Sequence, residues 1–144
     1  MADIAGLLPH AGHALMIDRV VRWDDMEIEV ATLRHRSPDN PLRRADRLSA
    51  VHLAEFGAQA MAIHGGLRNR AAGLPMQPAL LVSVRDLELQ RDYIDDLDGE
   101  LRITARSLLA NAASWQYLFT VLHAGDRIAS GRVAAIAHPA ARSG

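Results

Sequence analysis

The chain is 144 residues long, 49% hydrophobic and 23% charged, with a formal net charge of −1. That composition suits one compact domain with its own core and leaves no global field to gather nucleic acid. Cysteine is absent and all sixteen basic residues are arginine, which excludes disulfides, thiolate metal sites, cysteine nucleophiles and lysine Schiff-base chemistry.

The opening MADIAGLLPHAGH has no basic region followed by a long apolar run, and no later stretch reaches the length of a membrane span; a cytoplasmic protein without membrane contact is the expectation. Residues 14–23 read as a first strand. Residues 26–33 read as a second, with Met26, Ile28 and Val30 alternating with Glu27 and Glu29, and the WDD turn between them suggests a hairpin. The loop RHRSPDNPLRRADR then carries the chain to a helix predicted over residues 48–65, with Ser49 or Asp46 to cap it and Gly65 with Gly66 to end it. Residues 78–89 read as a long strand whose apolar parity changes, which a bulge near Arg85 and Asp86 reconciles. After the acidic turn YIDDLDGE, three more strands are predicted at residues 100–108, 113–123 and 127–137, followed by a disordered-like tail over 138–144.

The helix is the unusual element. From Leu48 to Leu67 it carries one formal charge, Glu55. A helix with no charged face is normally buried all round, and an ionised carboxylate inside an apolar environment needs a partner or holds its proton toward neutrality. His52 and Gln59, at i−3 and i+4, share roughly one side with Glu55, beside the small residues Gly57, Ala58 and Ala60. Two strands, one long helix and about four more strands joined by short turns make an α+β domain spanning residues 1–144, an antiparallel sheet wrapped around a single helix. One sheet cannot enclose a helix, so the uncovered side predicts a homodimer.

The stretch LLPHAGHALMIDRV resembles the opening of hotdog-fold 3-hydroxyacyl-[acyl-carrier-protein] dehydratases, where Leu-Pro-His precedes an apolar strand containing Asp-Arg. EFGAQAMA is similar to the Glu-x-x-Ala-Gln-x-x-Ala pattern on the central helix of those enzymes, and the resemblance covers nearly the whole chain. Within the superfamily it looks most like the subgroup serving aryl-polyene and related fatty-acid-like or polyketide pathways. The resemblance implies a lyase that takes acyl chains on the phosphopantetheine arm of an acyl carrier protein or as acyl-CoA. It implies no cofactor, no metal, and a homodimer or an oligomer of dimers.

In the family a histidine removes the C2 proton and a helix carboxylic acid protonates the leaving C3 hydroxyl. Glu55 matches the acid. For the base, His35 in the loop before the helix is the first choice, with His10 of the Leu-Pro-His motif and His52 as alternatives; here the loop reads HRSPDNP where better-known members carry His-Phe-Pro-Gly. Gln59, Gly57 and Pro41 fall to substrate binding, Gln59 through an i,i+4 contact with Glu55 or a subunit-interface bond, Gly57 by permitting close approach. Arg34, Arg36, Arg43, Arg44 and Arg47 crowd the loop and suit docking of an acidic carrier protein, or else form a solvated loop balanced by Asp39 and Asp46. Two other readings stay open: an acyl thioesterase using Glu55 on water, and a non-catalytic acyl-binding or heterodimer-partner subunit.

Overall fold

The computed structural model describes residues 15–75, 79–111 and 113–137; His10 and the tail over 138–144 lie outside these. Six strands form one antiparallel sheet. In chain order they are β1 (Arg19–Trp23), β2 (Glu27–Thr32), β3 (Ala79–Leu89), β4 (Leu101–Ala110), β5 (Ser114–His123) and β6 (Asp126–Ala137), with helix α1 (Leu53–Ala71) between β2 and β3. Across the sheet the order is β1-β2-β4-β5-β6-β3. The β1–β2 hairpin forms as expected, its turn closed by the Asp24 carboxylate, which accepts from the Met26 and Glu27 N–H groups at 2.8 and 3.0 Å.

The first strand begins later than the apolar pattern suggests. Met16 and Ile17 are buried, but the Met16 peptide leaves the ladder to meet side chains: its N–H donates to Gln59 Oε1 and its carbonyl accepts from Thr32 Oγ1. In β3 the pairing shifts register between Arg85 and Glu88, with Asp86 at φ 53°, where the change of parity predicts a bulge; a second shift falls between Leu81 and Ser83.

The helix is displaced from its predicted bounds. A 3-10 turn, Ala50–His52, comes first, with the Ser49 hydroxyl accepting from the Val51 N–H. Gly65 and Gly66 do not end α1, because Leu67 one residue on is still buried against the sheet. The stop comes at Gly73, whose φ of 70° lets the Leu74 N–H reach back to the Asn69 carbonyl at 2.8 Å.

The core lies between α1 and the concave face of the sheet, where Phe56 and Ile63 of the helix meet Ile28, Ile103, Tyr117, Phe119 and Val121. At its centre the Phe119 ring is held between two glycines. A Cβ on Gly57 would come within 2.5 Å of the ring, and one on Gly131 within 2.9 Å, so neither side can take a methyl without moving the ring into the other. The acidic turn closes the core beneath the helix start: Ile94 and Leu97 are buried, and Asp95 accepts from the Leu48 N–H at 2.9 Å.

Near the C-terminal part of α1, buried His64 joins three elements. Its Nε2–H donates to the Asp24 carbonyl at 2.6 Å, which leaves Nδ1 to accept from the Tyr117 hydroxyl at 2.5 Å. Burial holds the His64 imidazole below its ordinary pKa against an upward pull from the Asp24 carbonyl, with the Arg68 charge adding to the lowering. Its neutral form is therefore the folded form. A proton taken up by the unfolded chain but refused by the folded one costs stability.

Two outcomes follow from this packing. Gly57→Ala lowers stability by about 1–3 kcal/mol, a fall of several degrees in Tm, whereas alanine at Gly65, which faces open space, does not lower it. Denaturant unfolding of the wild type loses stability as pH falls below about 6.5, the ordinary histidine value, and His64→Gln reduces that slope.

Candidate functional site

Helical geometry decides which way Glu55 faces. Residues two apart on an α-helix are separated by about 200°, so with Gly57 pressed against Phe119, Glu55 is turned away from the sheet. It is half-buried, not enclosed, and it stands on the side that the chain's own sheet leaves uncovered. The close approach that Gly57 permits is thus to the Phe119 ring; helix–sheet packing, not substrate, occupies that face.

Gln59 makes the i,i+4 contact expected from its spacing: its Nε2 donates to Glu55 Oε1 at 3.2 Å. The amide is oriented from its other end. Gln59 Oε1 accepts from the Met16 N–H at 2.7 Å, and since a peptide N–H can only donate, the oxygen must face Met16 and the NH2 group must face Glu55. Thr32 Oγ1 donates to the Met16 carbonyl at 2.6 Å and accepts from the Arg34 N–H at 2.9 Å. Hydrogen bonds to the two backbone groups of Met16 thus link the helix carboxyl to the loop after β2.

That loop begins with a 3-10 turn, Arg34–Arg36, which places His35 fully inside the protein. His35 Nε2–H donates to the Leu97 carbonyl at 2.9 Å, which fixes the tautomer and leaves Nδ1 with a lone pair. Among the described residues, this Nδ1 is the one buried side-chain polar atom with no hydrogen-bond partner. Burial lowers the His35 pKa, opposed by the Leu97 carbonyl and reinforced by the nearby Arg36 and His123 charges, so the ring is neutral at neutral pH. His52 closes the 3-10 turn ahead of α1, half-buried, one turn from Glu55. Pro41 is exposed and lines an open cleft of about 240 Å³ together with Leu15, Met16, Arg34, Ser37, Asp39 and Asn40. The cleft and the Gln59–Glu55 pair share Met16.

The loop arginines are spent mostly on structure, and not on the expected carboxylates. Arg34 pairs with Asp18, Arg36 with Asp98, and Arg47 with Asp95 while stacking 4.0 Å over the Tyr93 ring. Arg43 donates to the backbone carbonyls of Ser37, Arg36 and Asp46, and Arg44 to those of Pro41 and Arg43. Asp39 and Asp46 take part in none of the described ion pairs, and Arg43 and Arg44 keep uncompensated charge beside the cleft. Thr32, Asp18 and His123, the last donating to the Asp98 carbonyl at 2.6 Å, were not singled out by the sequence. The Asp-Arg pair at residues 18–19 was a visible signal; Thr32 offered none. No three His, Asp or Glu side chains among the described residues are arranged to hold a metal ion, and no described helix is long and apolar enough to cross a membrane.

A family model described as ApeP dehydratase matches residues 2–143. The chain belongs to the ApeP-like dehydratase family. As a member of that family it is a dehydratase, a lyase, and its sheet around a single helix is the hotdog fold. No curated protein matches its sequence. Among solved structures it is similar to the dehydratase heterocomplex ApeI:P from Xenorhabdus doucetiae, with a TM-score of 0.85 at 17% identity over 94% of this chain and 90% of that one. A mutant thioesterase from Pseudomonas aeruginosa matches with a TM-score of 0.59 at 12% identity over 83% of this chain and 79% of that one. A hypothetical thioesterase with coenzyme A from Streptococcus pneumoniae gives 0.59 at 10% identity, over 83% and 84%. At these identities the structures share the fold with this ApeP-like chain.

Proposed function

We propose that this ApeP-like protein dehydrates 3-hydroxyacyl thioesters carried on the phosphopantetheine arm of an acyl carrier protein, in an aryl-polyene type of pathway. The observation that carries the reading is Glu55, the one carboxyl on a helix whose other charges, Arg68 and Arg70, lie in its last turn, held by Gln59 on the side away from the sheet. A base takes the proton from C2, the C–H electrons form the C2–C3 double bond, and the C3 hydroxyl leaves as water with a proton from Glu55. His35 suits the base: its ring is kept neutral by burial, its tautomer is fixed by Leu97, and Nδ1 retains the lone pair that would accept the proton. Uncompensated Arg43 and Arg44 suit an acidic carrier protein at the mouth of the cleft.

The active unit on this reading is a dimer, of two copies or of this chain with a different subunit; the similar Xenorhabdus structure is a dehydratase heterocomplex. Edge strand β3 supports it: Leu80, Leu81, Val82 and Val84 are all exposed there, at 39–51%. Leu81 and Val84 pair with Ala135 and Val133, which are buried on the helix side of the sheet. The run over residues 80–84, interrupted only by Ser83 and ahead of the charged Arg85, Asp86 and Glu88, is an apolar strand-pairing edge of the kind that proteins otherwise cover. One feature favours a second reading: His35 is 0% exposed, which fits a chain that binds the acyl group and supplies the acid while its partner supplies the base.

Enoyl product and free thiol are measured with a 3-hydroxyacyl pantetheine thioester as substrate. Glu55→Gln lowers enoyl formation by about a hundredfold or more. His35→Ala does the same if His35 is the base and leaves the rate unchanged if the partner carries it. Thiol release without enoyl product would make the protein a thioesterase. Val82→Asp together with Val84→Asp converts the dimer to monomer in sedimentation; an unchanged mass would place the interface elsewhere.

A further inference from the structure

Thr32 ends β2, is 0% exposed, and takes no part in the chemistry described above. Its hydroxyl makes two strong contacts, donating to the Met16 carbonyl at 2.6 Å and accepting from the Arg34 N–H at 2.9 Å, with Asp18 Oδ2 a further 3.3 Å neighbour. We infer that Thr32 is a positioning residue for the dehydration, clamping the backbone at Met16 so that Gln59 holds the Glu55 carboxyl in one orientation. This rests on the reading of Glu55 as the acid.

Met16 lies outside the strand ladder, so the directions of the two peptide groups that meet at its Cα are set by what holds them. Gln59 takes the N–H and Thr32 takes the carbonyl. With that backbone fixed, Gln59 Oε1 is committed to Met16 and Nε2 to Glu55 Oε1. Because Oε1 of Glu55 is then an acceptor, the proton to be donated sits on Oε2. Loss of the Thr32 hydroxyl takes this donor from the buried Met16 carbonyl; the backbone at Met16 shifts to find another, and the N–H that helps orient the Gln59 amide shifts with it. The same hydroxyl anchors Arg34, the residue before His35, so one side chain sets both the acid and the start of the loop that carries the proposed base. Placement errors of about 1 Å can cost up to a hundredfold in rate without weakening binding.

The test uses the assembled enzyme and the 3-hydroxyacyl pantetheine thioester. Thr32→Val keeps the shape and removes the hydroxyl; kcat falls about tenfold or more while KM stays within about twofold, and Thr32→Ser, which restores the hydroxyl, recovers most of kcat. Folded Thr32→Val with kcat within about threefold of wild type overturns the inference, as does Thr32→Ser behaving like Thr32→Val. Should Thr32→Val not fold, Thr32→Cys, similar in size with a feeble S–H donor, is expected to lose kcat about threefold with KM held, and wild-type kcat there overturns the inference equally. Glu55→Gln run beside these separates the two claims: full activity in that variant removes the acid assignment itself, whereas an inactive Glu55→Gln with an unaffected Thr32→Val removes the coupling alone.

Discussion

The Phe119 ring, gripped between Gly57 of the helix and Gly131 of β6, sets the distance and rotation of α1 on its sheet. With the helix seated there, its remaining positions have no freedom to turn. Phe56 and Ile63 fall into the core, and Glu55, about 200° around from Gly57, is directed to the side no strand of its own chain covers. A side chain larger than hydrogen at either glycine would lift the helix or tilt the ring. The position of the Glu55 carboxyl is in this sense a consequence of an apolar contact on the opposite face.

Polar side chains complete what the packing begins. Gln59 holds the Met16 N–H and Thr32 the Met16 carbonyl, and the same hydroxyl receives the first N–H of the 3-10 turn bearing His35. Opposite, the turn after Ile94 is gripped by His35 at the Leu97 carbonyl, by His123 at the Asp98 carbonyl and by Arg36 at the Asp98 carboxylate. Several of these partners come from segments that are not regular structure. Loops of this kind stay in place because their backbone groups find side-chain partners, which is how a site keeps a fixed geometry outside helices and strands.

Local signals reported the elements well and the site in part. Alternation in β2 and β5, the turn at Asp24, and the parity change at Arg85 and Asp86 each carry their physical cause in a few adjacent residues, so they were legible. The helix end was not: Gly65 and Gly66 have the chemistry of a stop, but burial of Leu67 outweighs the intrinsic cost of glycine in a helix, and Gly73 with its positive φ makes the cap. Glu55 stood out because a lone charge on an apolar helix is an energetic anomaly. Gln59 was legible from i,i+4 spacing, yet the partner that orients it, the Met16 peptide 43 residues earlier, depends on tertiary approach. Thr32 looked like any β-branched strand residue. The loop arginines were visible as a cluster, but their true partners Asp18, Asp95 and Asp98 come from distant segments, while nearby Asp39 and Asp46 do not pair with them.

On the proposed reading, helix packing delivers Glu55 to the reacting C3 oxygen. A crystal structure of the assembled protein with a non-cleavable 3-hydroxyacyl pantetheine amide tests it most directly. The C3 hydroxyl is expected at about 2.6–3.2 Å from Glu55 Oε2, with Gln59 still on Oε1. A bound acyl chain whose C3 hydroxyl lies beyond hydrogen-bond reach of Glu55 would contradict it.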